Sequence, residues 1–211
     1  MAAILRTYLK VSAVAGLCAA MAIGVACDQR GGSTGASNAA AGSDVAAQGP
    51  AKPAPRTAKV TIAGETFELE LALDDESRFR GLSGRTEIAR NGGMLFVFPD
   101  ASVRVQGFVM RDCPIPIDII YVGRDGRVVS MFAMTPEAPR ADDERELSPP
   151  FSGAPRWAWV NAKYEARLQQ YNSRYPAQYV IELAGGRLKD LKVQEGDLIE
   201  FDRESLKKRA R

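Results

Sequence analysis

The sequence predicts a mainly β (α+β) domain, a compact antiparallel barrel-like or sandwich-like sheet with a few short helices. Three observations carry this. Short apolar runs recur through residues 57–202. Turn residues punctuate them at Ala63-Gly64-Glu65, Gly92-Gly93, Pro99-Asp100, Asp125-Gly126 and Glu195-Gly196-Asp197. One run, Thr66 to Leu73, alternates strictly: Phe67, Leu69, Leu71 and Leu73 against Glu68, Glu70 and Ala72. That period of two gives a strand one buried and one wet face. Many short strands between turns build a sandwich or barrel.

The elements follow in order. Val60-Thr61-Ile62 and Thr66 to Leu73 form a hairpin across Ala63-Gly64-Glu65. Asp74 has the side chain to cap a short helix through Arg80, which Gly81 ends. Thr86 to Arg90 reads as a further helical turn. Met94 to Phe98 is continuously apolar, as a strand covered on both faces is. A strand is expected from Val103 to Met110, then a hairpin of Ile115 to Val122 and Val128 to Met134 across Asp125-Gly126. Pro136 to Pro155 holds five prolines and reads as a long excursion. Trp157, Val160, Tyr164, Leu168 and Tyr171 recur at helical spacing, so a helix is expected over 157–174, stopped by Pro176. Tyr179 to Leu183 is a strand, and Val193 to Ile199 turns into a final one.

The flanks differ in kind. Arg6 and Lys10 precede an uncharged stretch, Val11 to Ala26, shorter than the about 20 apolar residues of a membrane span. A basic start, a short apolar core and a small-residue end make a secretion signal over residues 1–27. Gly24-Val25-Ala26 before Cys27 resembles the lipobox of bacterial lipoproteins. The resemblance implies lipidation of Cys27 and a location in the bacterial envelope, on the extracytoplasmic and periplasmic side; an ordinary cleaved signal would give a soluble secreted protein instead. Residues 28–56 are Ala, Gly, Ser, Pro, Gln and Asn for the most part, without an aromatic residue. Such a segment is a flexible linker with a reach of about 30 Å. Residues 57–202 make one globular domain, and 203–211 a basic, solvated tail.

Charge and composition exclude several classes. The chain has 28 Lys and Arg and 26 Asp and Glu. Without Arg6 and Lys10 the balance is neutral, which gives no field for nucleic acid. There is no histidine, so Ser-His-Asp and Cys-His catalysis and His-ligated metals are excluded. Once Cys18 leaves with the signal and Cys27 carries lipid, Cys113 is alone. One cysteine makes neither a disulfide nor a structural zinc site. No metal and no cofactor are expected.

Several motifs occur together in order: Arg80-Gly81-Leu82, Gly93 to Phe98, Phe108-Val109-Met110-Arg111-Asp112-Cys113-Pro114 through Tyr121, Tyr179 to Gly186, and Val193 to Asp197. This pattern resembles the "domain of unknown function 192" family over Val60 to Phe201, with Val109 where the family usually has Trp. The resemblance implies a small, largely β, often exported domain and brings no established reaction.

The densest polar cluster between apolar runs is Arg111-Asp112 with Asp118. Asp118 interrupts Ile115 to Ile120, so it enters or borders the core and needs a partner, for which Arg80 or Arg111 is the natural choice. Arg80, Met110, Arg111, Asp112 and Asp118 are therefore the ligand-binding candidates, set against a purely structural Asp–Arg pair. Cys113 reads as an inert thiol, and Trp157, Trp159 and Tyr164 as a core stripe ahead of a sugar-stacking surface. No catalytic residue is assigned. The reading is a membrane-tethered module that binds a small molecule, glycan or protein of the envelope. The alternatives are a cell-wall hydrolase using Asp112 and Asp118, and a structural or assembly factor of an envelope complex.

Overall fold

The computed structural model describes residues 56–211. The signal, Cys27 and nearly all of the linker lie outside the described residues. The fold is mostly β with a few short helices, as expected.

β1 (Thr57–Ile62) and β2 (Glu65–Ala72) pair antiparallel, with Val60 opposite Phe67. Ala63 and Gly64 join them at φ 48° and 82°. Two residues at positive φ make the tight turn whose twist suits a hairpin. α1 (Asp75–Arg80) begins where the Asp74 carboxylate accepts from the Ser77 N–H at 2.9 Å and the Ser77 hydroxyl accepts from the Asp74 N–H at 3.2 Å. This reciprocal cap and the terminal Gly81 (φ 50°) bear out the expected short helix.

β3 (Met94–Val97) is buried throughout and runs parallel to β2, Glu70 opposite Met94. It is the one parallel neighbour in the sheet; the other four pairings are antiparallel. β5 (Ile117–Val122), β6 (Val128–Met134) and β8 (Tyr179–Ala184) complete an open six-stranded sheet ordered β1-β2-β3-β8-β5-β6. β4 (Gly107–Phe108) and β7 (Tyr171–Asn172) form a separate two-stranded ribbon.

The sheet is covered on both faces. On one, Val60, Phe67, Leu69, Leu95, Ile120, Ile181 and Leu183 pack with Leu191 of α3 (Arg187–Leu191) and Leu206 of α4 (Arg203–Arg209). On the other, Met94, Phe96, Ile119, Tyr121 and Val180 lie beneath Leu82, Met110, Cys113 and Tyr171. This double cover explains the unbroken apolar runs of β3 and β5. It also explains Ala72: the alternation of β2 puts it opposite the Phe67 face, yet it is fully buried, because the second core covers it.

Four expectations are corrected. Residues 86–90 are not helical. The chain there leads into a stretch that runs beside β2, with the Glu68 N–H donating to Asn91 O and the Glu70 N–H to Gly93 O, both at 2.9 Å; sheet pairing outweighs local propensity. Gly93 is needed for this approach, since a β-carbon would fall 2.1 Å from Glu182 O. Of residues 157–174 only α2 (Ala162–Arg167) is α-helical. Val160 bridges to Ser148, Asn161 caps α2 by accepting from the Tyr164 N–H, and Tyr171 belongs to β7, so the helical spacing is shared among three unlike elements. The strands expected at 103–110 and 193–199 shrink to β4 and to isolated bridges, Leu198 with Arg127 and Glu200 with Thr61. The tail is α4, capped by Asp202 with Leu206 buried, and the Arg211 N–H donates to Leu73 O at 2.8 Å. Lys207, Lys208 and Arg209 fill its last turn, where the helix dipole favours cations.

Candidate functional site

The five predicted ligand residues do not meet in one pocket. Arg80 is on α1 and exposed, its guanidinium 2.6 Å from Glu76 one turn away. Met110 is fully buried in the second core. Arg111 donates from Nε and Nη2 to the two oxygens of Glu165, both at 2.6 Å, and its Cζ sits 4.4 Å from the Phe79 ring centre. Asp112 accepts two bonds from Arg140, at 2.7 and 2.8 Å.

Asp118 is on the other face of the sheet. Its neighbours Ile117, Ile119 and Tyr121 point into the second core, while Asp118, 1% exposed, accepts from the Leu188 N–H at 2.6 Å. α3 begins at Gly186, which has no side chain to cap it. Asp118 supplies the cap from the neighbouring strand. Its expected partners, Arg80 and Arg111, are engaged elsewhere. A mechanism that sets Asp112 and Asp118 on either side of one bond needs them in one cleft. The sheet lies between them, so that pair cannot act together.

What forms around Asp112 is a lattice of guanidinium, carboxylate and ring. Asp112 sits at φ 52° with its N–H donating to the Tyr164 hydroxyl at 2.9 Å. Arg140 and Arg167 both lie over the Tyr164 ring, at 3.8 and 4.7 Å. Arg167 also pairs with both oxygens of buried Glu144, at 2.8 and 2.9 Å, and holds that carboxyl down to about 2. Bidentate pairs and stacked guanidiniums are directional. They clamp the proline-rich excursion and α2 onto the 110–114 loop. Tyr164 is thus buried as a core residue is, beneath two guanidiniums, and not an open sugar platform; its hydroxyl is engaged.

Cys113 is 7% exposed, and burial, with Glu182 nearby, pushes its thiol up to about 12. It is therefore a thiol and not a thiolate at neutral pH.

The residue that sequence reasoning passed over is Glu182. It lies mid-strand in β8, between Met94 of β3 and Ile119 of β5. It is 5% exposed, its Oε2 has no hydrogen-bond partner, and burial pushes its carboxyl up to about 8. The available signal was one charge inside an otherwise apolar strand, Tyr179 to Ala184.

Two shallow concavities lie along β2, and none of the five predicted residues lines either. One, of ≈ 330 Å³, is lined by Glu68, Glu70, Leu82, Arg85, Glu87 and Ile88 with Ala89, Gly92 and Gly93. The second shares Glu68, Ala89 and Gly92 and extends to Thr57, Lys59 and Thr66. Arg85 donates to both oxygens of Glu70 at 2.8 Å within the lining of the first. Among the described residues no group of three or more Cys, Asp or Glu is arranged to hold a metal ion. No helix among them is long and apolar enough to cross a membrane.

Comparison with known proteins matches part of the chain to the family the motifs resemble, covering those at 80–82, 93–98 and 108–121 but not those at 179–186 and 193–197. Residues 58–153 match the DUF192 family, described as "Uncharacterized ACR". A solved structure from Sinorhizobium meliloti 1021, described as a candidate transcription regulator, is 25% identical, with a TM-score of 0.50 over 69% of this chain and 93% of that one. A protein of unknown function from Novosphingobium aromaticivorans DSM 12444 is 25% identical, with a TM-score of 0.48 over 68% of this chain and 83% of that one. No curated protein matches the chain.

Proposed function

We propose that this chain is an extracytoplasmic module, tethered by lipid at Cys27, that binds a small polar ligand of the envelope in the groove beside β2. The carrying observation is the composition of that groove: Glu68, Glu70 and Glu87 around the apolar floor of Leu82 and Ile88. Only one of the three carboxylates, that of Glu70, is matched by the groove's arginine. A ligand joining a cationic group to a short apolar part would fit this lining, its ammonium among the carboxylates and its alkyl part on Leu82 and Ile88. The sequence supports the setting through its basic start, short apolar stretch and small residues before Cys27.

The test is calorimetric titration of the full chain with a diamine and with a lysine-containing tripeptide. Binding should weaken at least fivefold in Glu87→Gln and fall with added salt. No heat at millimolar ligand, or binding indifferent to Glu87→Gln and Glu68→Gln, overturns the groove assignment. The tether is tested separately: Cys27→Ala should move the protein from the membrane fraction to the soluble one.

A further inference from the structure

The two edges of the six-stranded sheet are not alike. At β1, Thr61 exchanges both backbone bonds with Glu200, at 2.8 and 3.1 Å, and exposed Lys59 stands mid-edge. A charged, partly covered edge resists adding another strand. β6 has neither protection in its middle. Its seven residues, Val128-Val129-Ser130-Met131-Phe132-Ala133-Met134, carry no charge.

The ladder fixes which backbone groups of β6 point outward. Pro116 O accepts from the Gly185 N–H and Val122 O from the Gln178 N–H, so the even-numbered residues of β5 face β8. Ile117, Ile119 and Tyr121 therefore face β6, opposite Met134, Phe132 and Ser130. Those three turn their backbone inward, and Met131 and Ala133 turn theirs outward. The ends of this edge are occupied: Val128 bonds to Asp197 O and Gly196 N, and the Thr135 N–H donates to the Tyr171 hydroxyl. Between them the N–H and C=O of Met131 and Ala133 meet no other described residue. Ala133 is exposed, and Met131 and Phe132 are half-buried.

We propose that this edge is the interface between two copies of the chain, β6 pairing antiparallel with β6 about a two-fold axis at Phe132. The free groups are symmetric about that residue. Met131 then faces Ala133 of the second copy and Ala133 faces its Met131, and each pair exchanges two bonds, so all four free groups per chain are satisfied. A long side chain meets a short one at each pair. The flanks carry opposite charges: Arg127 and Glu137 are each five residues from Phe132 in sequence, beyond the bulge at Val129 and the strand end at Met134. Glu137 also accepts from the Gln169 N–H at 2.7 Å. A two-fold axis at Phe132 thus sets an arginine near a glutamate at each end. Arg127 is exposed, and its guanidinium donates only to Gly196 O. The same patch on both chains, self-complementary, is what a two-fold dimer requires.

Sedimentation of the full chain over a range of concentrations tests this. The proposal expects a monomer–dimer equilibrium, with exchange of the Met131 and Ala133 amides slowing as dimer forms. Ala133→Lys places a charge on an exposed position, leaves the fold intact by circular dichroism, and should weaken the dimer at least tenfold. Arg127→Glu and Glu137→Arg should each weaken it severalfold, and the double reversal should restore it to within about threefold. A monomer at every concentration overturns the proposal, even where a strand of another protein takes the edge. So does a dimer unmoved by Ala133→Lys or by the charge reversals.

Discussion

Glu182→Gln isolates a buried carboxyl whose Oε2 has no hydrogen-bond partner among the described residues. In the unfolded chain it titrates near 4.5, and in the folded domain burial pushes it up to about 8. Below pH 4.5 it is protonated in both states and carries no penalty. Between pH 4.5 and 8 the unfolded chain releases the proton while the folded one keeps it, so stability falls as pH rises; above 8 both are ionised and the loss is complete. A difference of about 3.5 pH units at about 1.4 kcal/mol each makes the ceiling about 5 kcal/mol. A domain of this size is stable by about 5–15 kcal/mol, so the effect is large. Glutamine keeps the shape and does not titrate. Denaturant unfolding of the full chain at intervals from pH 4 to 9 should show wild type losing several kcal/mol more than Glu182→Gln. At pH 4 the variant should equal wild type or fall below it by about 1–2 kcal/mol for its imperfectly bonded amide. At pH 9 it should be the more stable. Parallel curves would refute the reasoning, as would a Glu182 carboxyl carbon signal titrating below pH 5.

Other outcomes follow from the packing. Gly93→Ala sets a β-carbon 2.1 Å from Glu182 O at a φ of 141°, so it should cost more than about 3 kcal/mol or prevent folding, read from the denaturant midpoint. Asp118→Ala leaves the Leu188 N–H without its acceptor and should cost about 1–3 kcal/mol, with faster amide exchange confined to the start of α3. Asp118→Asn, which retains an acceptor, should recover most of that. Leu206→Ala should cost about 2–4 kcal/mol in the global unfolding transition, because Leu206 is 4% exposed within the main core; a change below about 0.5 kcal/mol would return α4 to the status of a tail.

Local chemistry made much of this fold legible. The Asp74 cap, the Ala63-Gly64 turn and the runs of β3 and β5 follow from neighbours in sequence, and they stand where expected. The failures came where distant segments decide. Residues 91–93 pair with β2, Val160 with Ser148, and Tyr171 with Phe108, and none of these partners is visible in a local window. The partners of the candidate site residues were hidden for the same reason. Asp118 was correctly placed in the core, but its partner is the backbone of a helix seventy residues on. Arg111 and Asp112 stand out in the sequence as a polar cluster with Asp118, but each finds its partner far along the chain, Glu165 of α2 and Arg140 of the excursion. Glu182 hid inside a strand that was read only for its apolar residues.

The strand order carries a consequence for how the chain folds. Among the described residues β8 follows all the other strands in sequence, and it occupies the middle of the sheet, between β3 and β5. Until residues 179–184 are available, β1-β2-β3 and β5-β6 are two fragments that share no ladder. Each then exposes an apolar edge, Met94 to Val97 on one and Ile117 to Val122 on the other. Closing such long-range pairings late makes folding slow. Any ribosome-bound chain lacking β8 is therefore two incomplete halves, and the six residues Tyr179 to Ala184 act as the keystone that turns them into one sheet.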